Sequence, residues 1–124
     1  VEPPEYDDGL LQNIPAIVNE NDYFSFTINA KNYIINDSWD LLFEGDSPDT
    51  LIISLVVKNF SSLITDSTLI RLYNENNNII SNIHILGNVT EVSSTPIEMI
   101  ENPKKFEFLS NKLTGFVDFQ LIKQ

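Results

Sequence analysis

Three carboxylates, Glu44, Asp46 and Asp49, crowd one stretch with Gly45 and Pro48, and Asp37 and Asp40 lie just upstream. Calcium takes about six to eight oxygen ligands, which loop carboxylates and neighbouring carbonyls can supply, so Glu44, Asp46 and Asp49 are the candidate metal ligands. Their spacing matches no Asp-x-Asp-x-Asp-Gly loop, and acidic residues beside Pro and Ser are also the ordinary chemistry of a solvated turn. Two of the same carboxylates would serve as a glycosidase pair only if a cleft held them at a fixed separation. A second constellation is aromatic. Flat rings with amide neighbours suit carbohydrate, and Trp39 and Tyr33, with Tyr6, Tyr23 and Tyr73 elsewhere, stand in a chain rich in asparagine. Trp39 and Tyr33 are the candidate glycan platform, although aromatics at strand spacing serve equally as core.

The single histidine, His84, lies between Ile83 and Ile85, so in a strand its ring faces away from both. A catalytic or metal-binding histidine needs partners that this chain can hardly supply, and no Gly-x-Ser-x-Gly elbow occurs. With no cysteine there is no disulfide, thiolate nucleophile or Cys-ligated zinc. The expectation is a protein that is not an enzyme and carries no cofactor.

The 124 residues fit one domain, and 42% hydrophobic residues suffice to fold it. Seven basic residues against eighteen acidic ones give a formal charge of −11, with Arg71 the lone arginine. A field of that sign repels phosphate and argues against nucleic acid as a partner. The longest apolar run, Leu51 to Val57, is far shorter than the roughly 20 residues that cross a bilayer as a helix.

The elements that would position these residues follow a period of two. Phe24, Phe26 and Ile28 alternate with Ser25, Thr27 and Asn29, and Tyr33 to Ile35 form a second apolar group beyond Asn29-Ala-Lys-Asn32. That polar stretch predicts a hairpin turn. Trp39, Leu41 and Phe43 predict a further strand, and Gly45 to Asp49 a reversal. Leu51, Ile53, Leu55 and Val57 share one face while Ile52 and Val56 make the other largely apolar, which predicts a central strand covered on both sides. Leu69 to Tyr73 and Ile79 to Ile85 predict a hairpin across Asn74 to Asn78. A short turn of helix is expected around Ser62 to Ile64, a strand over Asn88 to Val92 and an irregular link over Pro96 to Pro103. Lys105 to Leu109 predicts a strand, Ser110 to Lys112 a turn and Thr114 to Ile122 the closing strand. The fold class is all-β: a single antiparallel β-sandwich, Ig-like or jelly-roll-like, or a β-barrel, of eight to nine short strands.

Residues 1–21 carry Pro3, Pro4, Pro15 and Gly9 with Glu2, Glu5, Asp7 and Asp8 and show no period, so they read as an acidic tether ahead of a domain over 22–124. Within the tether, Leu10, Leu11, Ile14 and Ile17, with Val18, are apolar groups that would order against a partner protein or pack on the domain's own sheet.

The stretch Phe24 to Tyr33, followed by Asp37-Ser-Trp39 and the apolar Leu51 to Val57, resembles the opening of small uncharacterised lipoproteins of Bacteroidota, with Ala30 where a glycine is usual. The lead Val1-Glu-Pro-Pro-Glu-Tyr-Asp-Asp8 is similar to the segment just after the lipidated cysteine in such proteins. The resemblance covers residues 1–57 and carries no catalytic or binding residue across. It implies an extracytoplasmic, lipid-anchored domain at the outer membrane, on the cell surface or the periplasmic face. The missing catalytic groups, the missing cysteines and the acidic lead add the expectation that its partner is another protein, such as an outer-membrane component. A surface glycan-binding module and a calcium-dependent adhesive domain are the alternative expectations.

Overall fold

The structure, a computed structural model, describes residues 6–7, 10–46, 48–61 and 68–124. Among these residues nine strands and one helical turn follow in the order β1 (Tyr6–Asp7), β2 (Leu10–Leu11), β3 (Ala16–Asn19), β4 (Tyr23–Asp40), β5 (Thr50–Ser61), β6 (Leu69–Tyr73), β7 (Ile79–His84), β8 (Val89–Pro96), α1 (Ile97–Ile100) and β9 (Lys105–Lys123). β1 and β2 make a separate two-stranded ladder. The other seven form one antiparallel sheet, ordered β3-β4-β9-β5-β8, with β6 pairing β9 beside β5 and β7 pairing β6. The expected helical turn around Ser62 to Ile64 lies outside the described residues.

Two of these strands are far longer than the short strands expected from sequence. β4 runs for 18 residues and β9 for 19, paired to each other along nearly their full lengths from Tyr23↔Ile122 to Asp40↔Lys105. The opposite edge of β9 is divided between β6, on residues 105–109, and β5, on residues 114–123. Neither Asn29 to Asn32 nor Ser110 to Lys112 reverses the chain. Instead the ladder slips at both places, between Ala30 and Ile35, and slips again in β5 between Lys58 and Ser61. Asn32, Asn59 and Lys112 all take positive φ there. An extra residue bends a strand and moves its following side chains to the other face.

The burial pattern records that switch. In β4 the buried positions are Phe24, Phe26, Ile28 and Ala30, after which the inward side chains are Tyr33, Ile35 and Trp39. In β9 they are Phe106, Phe108 and Ser110, then Leu113, Val117, Phe119 and Leu121. Each strand changes phase where it bends, so the same face stays inward on both sides of the bend. Three neighbouring bulges on one line therefore fold the sheet over itself as a curled half-barrel. One layer holds β3, the first half of β4, the second half of β9, β5 and β8. The other holds the remaining halves of β4 and β9 with β6 and β7.

Rings meet across the layers: Phe26 lies 4.8 Å from Phe108 and 5.4 Å from Trp39, and Phe106 lies 5.0 Å from Phe24 and 5.1 Å from Phe119. At the end away from the bend, residues 41–46 and 97–104 cross between layers and plug the core with Leu41, Phe43 and Ile97. Lys104 Nζ donates to the Phe43 carbonyl at 2.8 Å, and the Leu41 amide to the Lys104 carbonyl at 2.8 Å, which ties the crossings together. The link expected over Pro96 to Pro103 contains the single turn α1.

β5 is flanked by β9 and β8, and Leu51, Leu55 and Val57 are buried as the alternation requires. Ile53 is only half-buried, because its inner face opens on one side of the molecule. Leu55→Ala should cost about 2 kcal/mol, the lower end for a buried leucine, because the vacated space adjoins solvent and need not persist as a closed cavity. Urea unfolding measures it, and a loss under ~1 kcal/mol would show that the strand contributes as an edge does.

Candidate functional site

The carboxylate turn is occupied with its own backbone. The Asp46 amide donates to Asp49 Oδ2 at 2.9 Å, and the Asp49 amide donates to the Asp46 carbonyl at 2.7 Å. Glu44 follows the buried Phe43 and is exposed, its amide given to the Asn21 carbonyl at 2.8 Å. Among the described residues no group of three or more carboxylates or histidines gathers at metal-binding distance. The aromatic pair is likewise structural in its surroundings. Trp39 packs on Phe26 and Phe106, and Tyr33 packs against the same core while its carbonyl accepts from Ser110 Oγ at 2.9 Å. Burial, with the neighbouring Asp37 charge, raises the Tyr33 phenol above its ordinary range. Both residues are half-buried, with one side on the core.

The apolar residues of the lead are dispersed. Leu10 and Leu11 form β2 and pair through their backbone with Asp7 and Tyr6. Ile17 belongs to β3, which pairs with β4 over residues 24–27, and packs on the core, whereas Ile14 is 52% exposed. The sheet thus begins inside the segment that reads as tether. Asn19 secures this edge: its Nδ2 donates to the Asp40 carbonyl at 2.8 Å, and its Oδ1 accepts from the Leu42 amide at 3.0 Å.

Among the described residues β3 pairs with β4 alone and so keeps one edge free of ladder pairing, fastened at its end by Asn19, whereas on the opposite side of the curl two such edges face each other. β7 pairs with β6 alone and β8 with β5 alone, so among the described residues each presents one unpaired edge. No ladder joins them. Between the two lies a cleft of about 580 Å³. Its inner walls are Ile53 and Leu55 of β5, Ser81 and Ile83 of β7, and Glu91 and Ser93 of β8. The register explains this set: Leu55 stands opposite Glu91 and Ile53 opposite Ser93, and residues directly opposite in a ladder share a face. Because Leu55 points inward, Glu91 does too, and it remains exposed only because no strand covers it.

No protein-family model matches the chain, and no curated protein matches it in sequence. The remaining polar cluster faces outward on β6 and β9. Tyr73 Oη donates to Glu107 Oε1 at 2.8 Å, and Arg71 Nη1 lies 3.3 Å from the same oxygen. Burial, then the bond to Glu107, raises the Tyr73 phenol, and its bonds to Tyr73 and Glu107 raise Arg71. Both groups are held in their protonated forms, the opposite of what a nucleophile or general base requires. His84 is exposed at the end of β7, facing away from Ile83 as its flanks imply.

The sequence reading misses the cleft. Its trace is in β8, where Val-Thr-Glu-Val-Ser-Ser-Thr-Pro has no consistent apolar face and ends in proline, the composition of an edge.

Proposed function

We propose that the protein is a non-catalytic binding domain that engages another protein through the open side of its curled sheet. The observation that carries this reading is the cleft itself: two unpaired strand edges flank an apolar floor of Ile53, Leu55 and Ile83. Exposed edges are ready templates for pairing with a second chain, and natural sheets usually blunt them with lysine or cover them. Neither β7 nor β8 contains a lysine or arginine, and on β8 the inward Glu91 and the terminal Pro96 restrict which chain can pair there without covering the edge. The resemblance to lipoproteins over residues 1–57 supports an extracytoplasmic setting with a lipid anchor at the outer membrane. Tethering there would raise effective concentration, so a small contact would suffice. Among the described residues no helix is long and apolar enough to cross a membrane.

A photo-crosslinking residue placed at Ser93, inside the cleft, should give a discrete protein adduct in native cells. The same group at Val18, on the free edge of β3 away from the cleft, should give none. Equal labelling at both positions, or no adduct at Ser93, would overturn the reading. So would a hydrolytic activity of the purified protein that is lost on changing one carboxylate.

A further inference from the structure

We infer that the cleft accepts an extended, basic segment of the partner, which adds as a strand to the free edge of β8 and places alternate apolar side chains on Ile53, Leu55 and Ile83. This inference rests on the protein-binding reading above and names the chemistry of what binds. Three features of the cleft fix that chemistry.

The first is shape. The space lies between two strands that are both unpaired toward it, so an entering chain finds backbone donors and acceptors on its flank. Main-chain pairing of this kind gives affinity, while pockets for every second side chain give selectivity. A helix would leave the edge groups of β8 unmet.

The second is the floor. Ile53 and Ile83 are half-buried although they point inward, Leu55 lies beside them, and Ile70 and Leu72 of the facing layer are fully buried. Apolar side chains at alternate positions of an added strand would remove this surface from water.

The third is charge. Among the described residues Glu91 is the one charged residue lining the cleft, and it points inward from the strand that would be paired. The body around it carries a formal charge of −11. A segment with lysine or arginine near Glu91 is attracted, and an acidic one is repelled. A second copy of this chain meets the same repulsion at every approach, so the occupant is a different protein.

The test uses the full chain and four synthetic twelve-residue peptides. The first alternates valine and lysine. The second replaces each lysine with glutamate, the third keeps the lysines and replaces two central valines with proline, and the fourth keeps the lysines and replaces the valines with serine. Binding is followed by fluorescence anisotropy, and the contact is located by amide hydrogen exchange. The valine–lysine peptide should bind and slow exchange across Val89–Pro96 while leaving Ala16–Asn19 unchanged. The glutamate, proline and serine peptides should bind at least about tenfold more weakly, and Glu91→Lys should weaken the first peptide about tenfold, the scale of reversing one partner of a rim charge pair.

Equal binding of the proline peptide would mean attraction to net charge without strand pairing and would overturn the inference, as would absence of binding or protection of β3 in place of β8. Light scattering that shows a dimer lost on Val92→Lys would assign the edge to a second copy and overturn it as well. The crosslinking result separates the two readings. An adduct at Ser93 with no peptide binding removes the basic strand alone, whereas no adduct removes protein binding through this face.

Discussion

Phe106→Ala should destabilise the protein by about 4 kcal/mol, within the range for truncating a fully buried phenylalanine. Phe106 has no exposed surface, and its ring lies 5.0 to 5.8 Å from those of Phe24, Phe26, Trp39 and Phe119. Those partners come from both layers, so the vacated space would sit where the folded sheet closes on itself. Neighbours anchored in three separate strand segments cannot all move in to fill it. Urea unfolding followed by tryptophan fluorescence is the natural measurement, because Trp39 reports on the same cluster. Phe106→Leu keeps most of the volume and should cost about 1 to 2 kcal/mol. If alanine costs no more than leucine, the cluster is not the tie between the layers.

Gly115→Ala should cost about 3 kcal/mol through two effects that act together. Gly115 has φ +142°, a conformation that residues with a Cβ rarely adopt. A methyl group added there would also lie 2.9 Å from the Lys58 carbonyl oxygen and 3.0 Å from that of Asn59, both backbone atoms of the β5 bulge. Backbone oxygens cannot swing aside as the end of a flexible side chain would. The position lies on the bend line, so the strain should appear as a local change of shape as well as a loss of stability. Gly87→Ala is the control, since an added Cβ there meets nothing within 4 Å. Comparable unfolding midpoints for the two variants would contradict the role assigned to Gly115.

The extent to which this fold was legible in the sequence depends on which interactions are local. The hairpin across Asn74 to Asn78 was readable because its determinants lie inside the turn: Asn74 Oδ1 accepts from the amides of Asn76 and Asn78 at 2.9 and 3.0 Å, and Asn77 takes positive φ. The same residue chemistry at Asn29 to Asn32 and at Ser110 to Lys112 announces positive φ equally well. Whether such a site reverses the chain or only bulges it is decided by the partner strand, some eighty residues away. The switch in burial phase, from Ile28 and Ala30 to Tyr33 and Ile35, marks a bulge in retrospect. Local pattern also could not tell that Trp39 packs on Phe26 and Phe106, since those rings lie on distant segments of the ladder. The cleft was the least legible feature, because it consists of a strand that is missing between two edges.

Several of the abundant asparagines, which sequence alone associates with turns or sugars, stand where a ladder breaks. Asn13 Oδ1 accepts from the Lys31 amide at 2.7 Å and its Nδ2 donates to the Lys31 carbonyl at 3.0 Å, so one side chain replaces a strand at the bend. Asn88 Oδ1 accepts from the Phe60 amide at 2.8 Å beside the β5 bulge. A carboxamide carries a donor and an acceptor at the spacing of a peptide group, which suits it to this work.

β9 lies at the centre of both layers, and this bears on the order of events during synthesis. β4, β5 and β6 each complete their pairing only on residues 105–123, with Tyr23 waiting for Ile122 and Leu69 for Leu109. While a ribosome is still reading the codons before that stretch, β5 and β8 can pair with one another, as can β6 with β7, but nothing joins these pieces to β4. The emerging chain therefore holds its phenylalanines uncovered until its most distant contacts become possible, and closing such long loops makes folding slow. Refolding over milliseconds to seconds is the expected signature, and a chain halted before residue 105 is a substrate for chaperones rather than a smaller folded domain.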